Sequence, residues 1–171
     1  MNPPYLLAQG SGTTRLPLRF HSTLPRLKLA DSATRAMIDF QRDPPLTVDE
    51  SYSLEEAIDR MFRLGVRAFL VVRDLSVVGL MTASEATRST PQHSRVADAM
   101  TPTDDVPAID WHTLAESRVR DLVEIFDATG VNYLVVLESH SASLSSVRGL
   151  IQHKRLQRQL SSPWSLRAAG I

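Results

Sequence analysis

Gly65-Val66-Arg67-Ala68-Phe69-Leu70-Val71-Val72 and Gly130-Val131-Asn132-Tyr133-Leu134-Val135-Val136-Leu137 are two versions of one phrase. Each opens on a glycine, where a helix ends. Each closes on a continuous apolar run with β-branched residues, the pattern of a buried strand. The sequence around both repeats as well. Upstream, Ser53-Leu54-Glu55-Glu56 has the spacing of a capping box and starts a helix. Its apolar face is Leu54, Ala57, Ile58, Met61 and Phe62, the i, i+3, i+4, i+7, i+8 pattern. In the second half Val119, Leu122, Val123 and Phe126 give the matching face. Downstream, the charged turn Arg73-Asp74 leads to Val77-Val78-Gly79-Leu80-Met81, echoed by Val147-Arg148-Gly149-Leu150-Ile151. Thr82-Ala83-Ser84-Glu85 then starts a helix with capping-box spacing, and its counterpart runs from Gln152 to Leu160.

Further out, Pro44-Pro45-Leu46-Thr47-Val48 and Val106-Pro107-Ala108-Ile109 read as short strands, preceded by Ala36-Met37 and by Ala99-Met100-Thr101-Pro102. Each half is therefore strand, helix, strand, strand, helix, and the fold class is α+β. The second half has two insertions, Trp111 to Glu116 and a polar hairpin tip, Ser139 to Ser146, expected to be mobile. The linker is Pro91 to Ala97. The chain divides into a flexible N-terminal arm at residues 1–28, a first repeat at 29–90, a second at 91–161 and a tail at 162–171.

Bulk properties exclude several classes. Lys plus Arg and Asp plus Glu are 19 each in 171 residues, so global charge makes no case for nucleic acid or a membrane surface. There is no cysteine, hence no disulfide or thiolate chemistry, and a reducing, cytoplasmic setting fits. No apolar run reaches the roughly 20 residues of a membrane span, and Met1 to Pro25 lacks a signal-peptide layout. Gly10-Ser11-Gly12 has no strand before it or helix after it, so it is no dinucleotide fingerprint. The five histidines are scattered without metal-ligand spacing. Ser141, Ser143, Ser145 and Ser146 sit at the hairpin tip, a poor place for a preorganised nucleophile. No catalytic constellation is present, and the chain reads as a non-enzyme.

Arg95-Val96-Ala97-Asp98-Ala99-Met100-Thr101-Pro102, the two Gly-Val pairs, Gly79-Leu80-Met81-Thr82 and the two-fold order together resemble the CBS-domain family, over roughly Leu29 to Leu160. The resemblance implies two β-α-β-β-α repeats packed about a pseudo-two-fold axis, a Bateman module. It implies an adenosine-containing ligand such as AMP, ADP, ATP or S-adenosylmethionine in a cleft between repeats, with no required cofactor. It also implies a homodimer and regulation of a partner protein in trans.

The same resemblance nominates Thr82 and Glu85 as the ribose grip, with Glu85 standing where the family places Asp. A helix capping box is the other role open to this pair. Gln152 and Arg155 occupy the matching positions of the second repeat, and Arg offers no acceptor to ribose hydroxyls. That second site is expected to be lost or altered. His153, Lys154 and Arg155 can meet a phosphate or form a solvated basic face, and the second reading is favoured. Arg67 and Asn132 follow the Gly-Val pairs where relatives contact ligand, and an ordinary surface role is open to Arg67. Thr47 and Val48 match the segment lining the adenine pocket, or simply form strand. The competing reading of the whole chain is a ligand-free dimerisation or interaction module.

Overall fold

The computed structural model describes residues 24–88, 94–141 and 144–160. The N-terminal arm up to residue 23 with Gly10-Ser11-Gly12, residues 89–93 at the end of the first repeat and the start of the linker, the tip at 142–143 and the tail from 161 on with Trp164 lie outside the described residues.

Helix α1 (Leu54–Leu64) begins where the Ser53 hydroxyl accepts from the Glu56 amide, and Glu55 and Glu56 complement its N-terminal dipole. It ends at Gly65, whose φ of 64° is the left-handed value a C-cap needs. Helix α5 (Val119–Thr129) repeats this: the Asp121 carboxylate accepts from the Arg118 amide at 2.7 Å, and Gly130 has φ 68°. Leu54, Ala57 and Met61 are buried, as are Val119, Leu122 and Phe126. Phe62 departs from expectation and is 86% exposed. Eight residues beyond Leu54 it has rotated about 80° off the buried stripe at 3.6 residues per turn.

Two four-stranded mixed sheets carry these helices. In the first, β3 (Ala68–Arg73) pairs parallel with β2 (Thr47–Asp49) and antiparallel with β4 (Ser76–Thr82), which runs into α2 (Ala83–Arg88). In the second, β7 (Tyr133–Ser141) pairs parallel with β6 (Ala108–Asp110) and antiparallel with β8 (Leu144–Gln152), which runs into α6 (His153–Leu160). Both central hairpins shift register at the same place, between Val71 and Val72 and between Val136 and Leu137. Side chains alternate across each strand. Phe69, Val71 and Met81 join Leu54 and Ala57 in one core, while Leu134, Val136 and Ile151 join Leu122 and Phe126 in another. The intervening Leu70, Leu80, Val135 and Leu150 are also buried, in neither core. They meet between the sheets, where Leu70, Leu80, Val106, Val135 and Val147 line a cavity of about 80 Å³. Burial on both faces is why these strands read as unbroken apolar runs.

The insertion Trp111–Glu116 is a short helix, α4, capped by Asp110, whose carboxylate accepts from the His112 and Thr113 amides. Leu114 is fully buried, and the Arg148 guanidinium lies 4.7 Å from the Trp111 ring centre, so the insertion is anchored to the second core. The polar tip is shorter than expected. β7 and β8 stay paired through Glu138↔Ser146, Ser139↔Ser145 and Ser141↔Leu144, because a ladder needs only backbone groups; Ser139 and Ser145 are exposed, their hydroxyls 3.5 Å apart.

The segments that open each repeat cross to the other. A 3-10 turn at Ala33–Ala36 leads to β1 (Ile38–Asp39), which pairs with β8 of the second sheet, Ile38↔Leu150. The four-residue helix α3 (Val96–Ala99) leads to β5 (Thr101–Pro102), which pairs with β4 of the first sheet, Leu80↔Thr101. Ala33, Ala36 and Met37 accordingly sit in the second core, and Val96 and Ala99 in the first. Gly79 and Gly149 are needed at these crossings. A Cβ at Gly79 would lie 2.7 Å from the Thr101 carbonyl oxygen, and one at Gly149 would lie 2.5 Å from that of Ile38. Arg148 clamps the crossing of β1 onto β8, with Nη2 donating to Asp39 at 3.2 Å and Nη1 to Glu138 at 3.3 Å. The docked chain begins before Leu29: Leu27 is buried, and its amide donates to the Gln159 carbonyl at 3.1 Å.

Candidate functional site

Because both sheets end in helices beside the crossing strands, a cleft opens at each end of the sheet–sheet interface. The two clefts are pseudo-equivalent in position and different in chemistry.

The first cleft, about 240 Å³, lies between Thr82, Glu85 and Thr101 on one side and Val106, Pro107 and Asn132 on the other. Thr82 and Glu85 form the complete capping box of α2. The Thr82 amide donates to Glu85 Oε2 at 2.7 Å, and the Glu85 amide donates to Thr82 Oγ1 at 3.3 Å. Thr82 Oγ1 is also 2.9 Å from Ser84 Oγ. The Thr101 hydroxyl donates to Glu85 Oε1. Each carboxylate oxygen thus already accepts from a donor, Oε2 from the Thr82 amide and Oε1 from the Thr101 hydroxyl. Thr101 and Ser84 were not singled out in the sequence. The position of Thr101 follows only from the crossing of β5 onto β4, which repeat spacing does not show.

The second cleft, about 380 Å³, lies between Pro44, Pro45, Leu46, Val66 and Arg67 of the first repeat and Gln152, Arg155 and Arg158 of the second. An adjoining recess of about 610 Å³ shares Arg67, Gln152 and Arg158 and adds Ser84, Asn132 and Lys154. Tyr133 connects the loops carrying Arg67 and Asn132, since its hydroxyl donates to the Arg67 carbonyl at 3.3 Å. Burial raises the Tyr133 phenol pKa, with Glu85 also raising it and Arg67 opposing, so the hydroxyl stays protonated and available as a donor.

The six nominated residues therefore do not converge. Thr82 and Glu85 share the first cleft with Asn132, whereas Arg67 lines the second. Thr47 is exposed, and Val48 is 4% exposed within the first core. Neither lines these clefts, and the lining segment is the one just before them, Pro44 to Leu46. Alternation explains it: once Val48 faces α1, the strand presents only its N-terminal end to the cleft.

The favoured solvated basic face needs correction at Arg155. Lys154 and Arg158 are exposed, but Arg155 is only partly so, and its Nε is buried without a hydrogen-bond partner. Burial pushes the Arg155 pKa down, the neighbouring Arg158 adds to this, and Asp43 opposes it. All three line the second cleft or its adjoining recess, and Arg155 is the one drawn furthest out of solvent.

Among the described residues no group of three or more His, Cys, Asp or Glu could hold a metal ion, and no helix is long and apolar enough to cross a membrane.

Comparison with known proteins agrees with the fold. Residues 37–89 match the family model described as CBS domain. Several solved structures are similar at low identity. A CBS domain structure, NE2398, is 21% identical with a TM-score of 0.54, covering 70% of this chain and 91% of that one. CBSX2 of Arabidopsis thaliana in complex with AMP is 16% identical with a TM-score of 0.56, covering 82% of this chain and 99% of that one. The cytosolic domain of the Mg2+ channel MgtE in complex with ATP is 16% identical with a TM-score of 0.53, covering 76% of this chain and 49% of that one. No curated protein matches the sequence.

Proposed function

We propose that this chain, with a CBS domain match at residues 37–89 and the fold of CBS-domain proteins, is a regulatory module that holds an adenosine-containing nucleotide between its repeats and acts in trans on a partner. One observation carries the reading: the first cleft presents a hydroxyl and a carboxylate, Thr82 and Glu85, side by side at its wall. A carboxylate accepting from two vicinal hydroxyls makes strong, charge-assisted bonds, which suits a ribose. That AMP and ATP complexes occur among the structural neighbours supports the ligand class.

The arrangement also gives a route from binding to regulation. Ribose hydroxyls would compete with Thr101 for Glu85, and Thr101 belongs to the strand that leads into the second repeat. A ligand that draws Glu85 away shifts the packing of the two repeats, and a partner preferring one packing reads it out. The test is titration calorimetry with AMP, ADP, ATP and S-adenosylmethionine, with stability measured in parallel. Glu85→Ala should weaken the ligand that binds by about 1.5–3 kcal/mol, and Glu85→Gln should keep the cap while losing the charge. A tight nucleotide indifferent to Glu85→Ala would remove the ribose assignment.

A second reading, an interaction module without ligand, is favoured by the exposed Phe62 on α1, with Leu64 beside it 49% exposed. A homodimer covering this face accords with either reading. Light scattering that returned a mass near 19.0 kDa across micromolar concentrations would remove the dimer.

A further inference from the structure

The second cleft has lost the chemistry of a ribose site and gained another. At the positions equivalent to Thr82 and Glu85 stand Gln152 and Arg155. Arg67 of the first repeat lines the same cleft as Arg155, Arg158 joins them from one helical turn along, and Lys154 stands in the adjoining recess. Among the described residues lining these two recesses, Asp43 is the one carboxylate, and it is exposed. None of these four cations forms a salt bridge among the described residues. Arg155 is the most exacting of them. Its Nε is out of contact with water and has no acceptor. A buried donor without a partner is costly, and a buried charge more so. A guanidinium whose Nε is held unpaired inside a concave site is poised for an anion.

We infer that the cleft between Val66–Arg67 and Gln152–Arg155 is an anion site for a chain of linked phosphates, distinct from the ribose site at Glu85. The class follows from geometry. A lone carboxylate satisfies one guanidinium, whereas a phosphate chain carries charged oxygens to several at once, and the guanidinium fork matches phosphate in a bidentate manner. The three arginines come from both repeats, so the anion would bridge them. The floor is apolar, formed by Pro44, Pro45 and Leu46. It admits a ring attached to the phosphates without requiring one. The inference goes beyond the ribose reading and does not depend on it.

The experiment is titration calorimetry of the full chain with inorganic tripolyphosphate, with ATP and with adenosine. Tripolyphosphate should bind, more weakly as salt rises. Arg155→Gln and Arg67→Gln should each weaken it at least about tenfold, the scale of a lost charge-assisted bond, and Glu85→Gln should leave it unchanged. Arg67→Gln, at an exposed position, keeps the test decisive should Arg155→Gln fail to fold. ATP binding tighter than tripolyphosphate, with the same arginine dependence, assigns the site to a phosphorylated ligand with a ring; equal affinities assign it to the phosphate chain alone. Absence of binding by both tripolyphosphate and ATP, or binding that both arginine variants leave unchanged, overturns the inference. Adenosine reports separately on Glu85, so adenosine failing while tripolyphosphate binds defeats only the ribose reading.

Discussion

Replacing Gly149 with alanine puts the crossing of β1 onto β8 to a quantitative test. The new Cβ would stand 2.5 Å from the Ile38 carbonyl oxygen and 2.6 Å from Met37 Cγ and Sδ. Comfortable carbon contacts lie near 3.5–4.0 Å, so something must move by about an ångström. Met37 can rotate in part, although it is only 8% exposed. The carbonyl belongs to the backbone of β1 and retreats only if the strand peels from β8. Overpacking of this kind costs about 1–3 kcal/mol, and each ladder hydrogen bond lost adds about 0.5–1.5 kcal/mol. Reduced entropy of the unfolded chain returns about 0.4–1 kcal/mol. The expected net loss is about 2–4 kcal/mol, a large share of the roughly 5–15 kcal/mol that holds a domain together. Equilibrium urea unfolding at unchanged m-value measures it. Gly130→Ala is the control, because its Cβ meets nothing within 4 Å and only the positive φ is penalised, by about 1–2 kcal/mol. Adding Met37→Ala to Gly149→Ala should recover part of the loss and not all, since the carbonyl remains. If Gly149→Ala cost no more than Gly130→Ala, the close packing of the crossing would be wrong.

Other outcomes follow from single features. The turn residues Asp74 and Leu75 have φ of 46° and 67°, and Leu75 is fully exposed, so Leu75→Gly should raise the melting temperature and Leu75→Val should lower it. Burial works to raise the Asp39 pKa, but the Gln41 amide and Arg148 outweigh it, so the folded value falls below the ordinary 3.8. The stability Asp39 contributes is thus present above about pH 4 and lost as pH falls through the lower folded value. Melting curves at pH 7 and pH 3 should therefore differ less in Asp39→Asn than in the unaltered chain. A chain beginning at Arg26 keeps Leu27 and should melt within a few degrees of the full chain, whereas one beginning at Ala30 should melt measurably lower.

Local periodicity carried the helices and central strands, because apolar stripes and β-branched runs are written in neighbouring residues. The buried faces of α1 and α5 were legible down to Met61 and Phe126, and only Phe62, at the edge of the stripe, misled. What could not be read was partnership across the repeats. Ala36-Met37 and Ala99-Met100 were visible as echoes, yet nothing in their spacing says that each pairs with the far sheet. The candidate site suffered from the same gap. Thr82 and Glu85 were found as a pair because capping chemistry is local. Thr101, sixteen residues on, was not. Arg67 and Thr82 were nominated by family resemblance as contacts to one ligand, and the fold sends them to opposite clefts.

The exchange of opening segments has a consequence for what counts as a unit here. Residues 24–88 alone would possess three strands of their own sheet and, in β1, an edge meant for another. Residues 94–160 would be in the same position with β5. Each half is thus both the customer and the supplier of the other, like two hands with interlaced fingers. Severed into two polypeptides, they would remain mutually recognising, and their reunion would restore both sheets at once or neither.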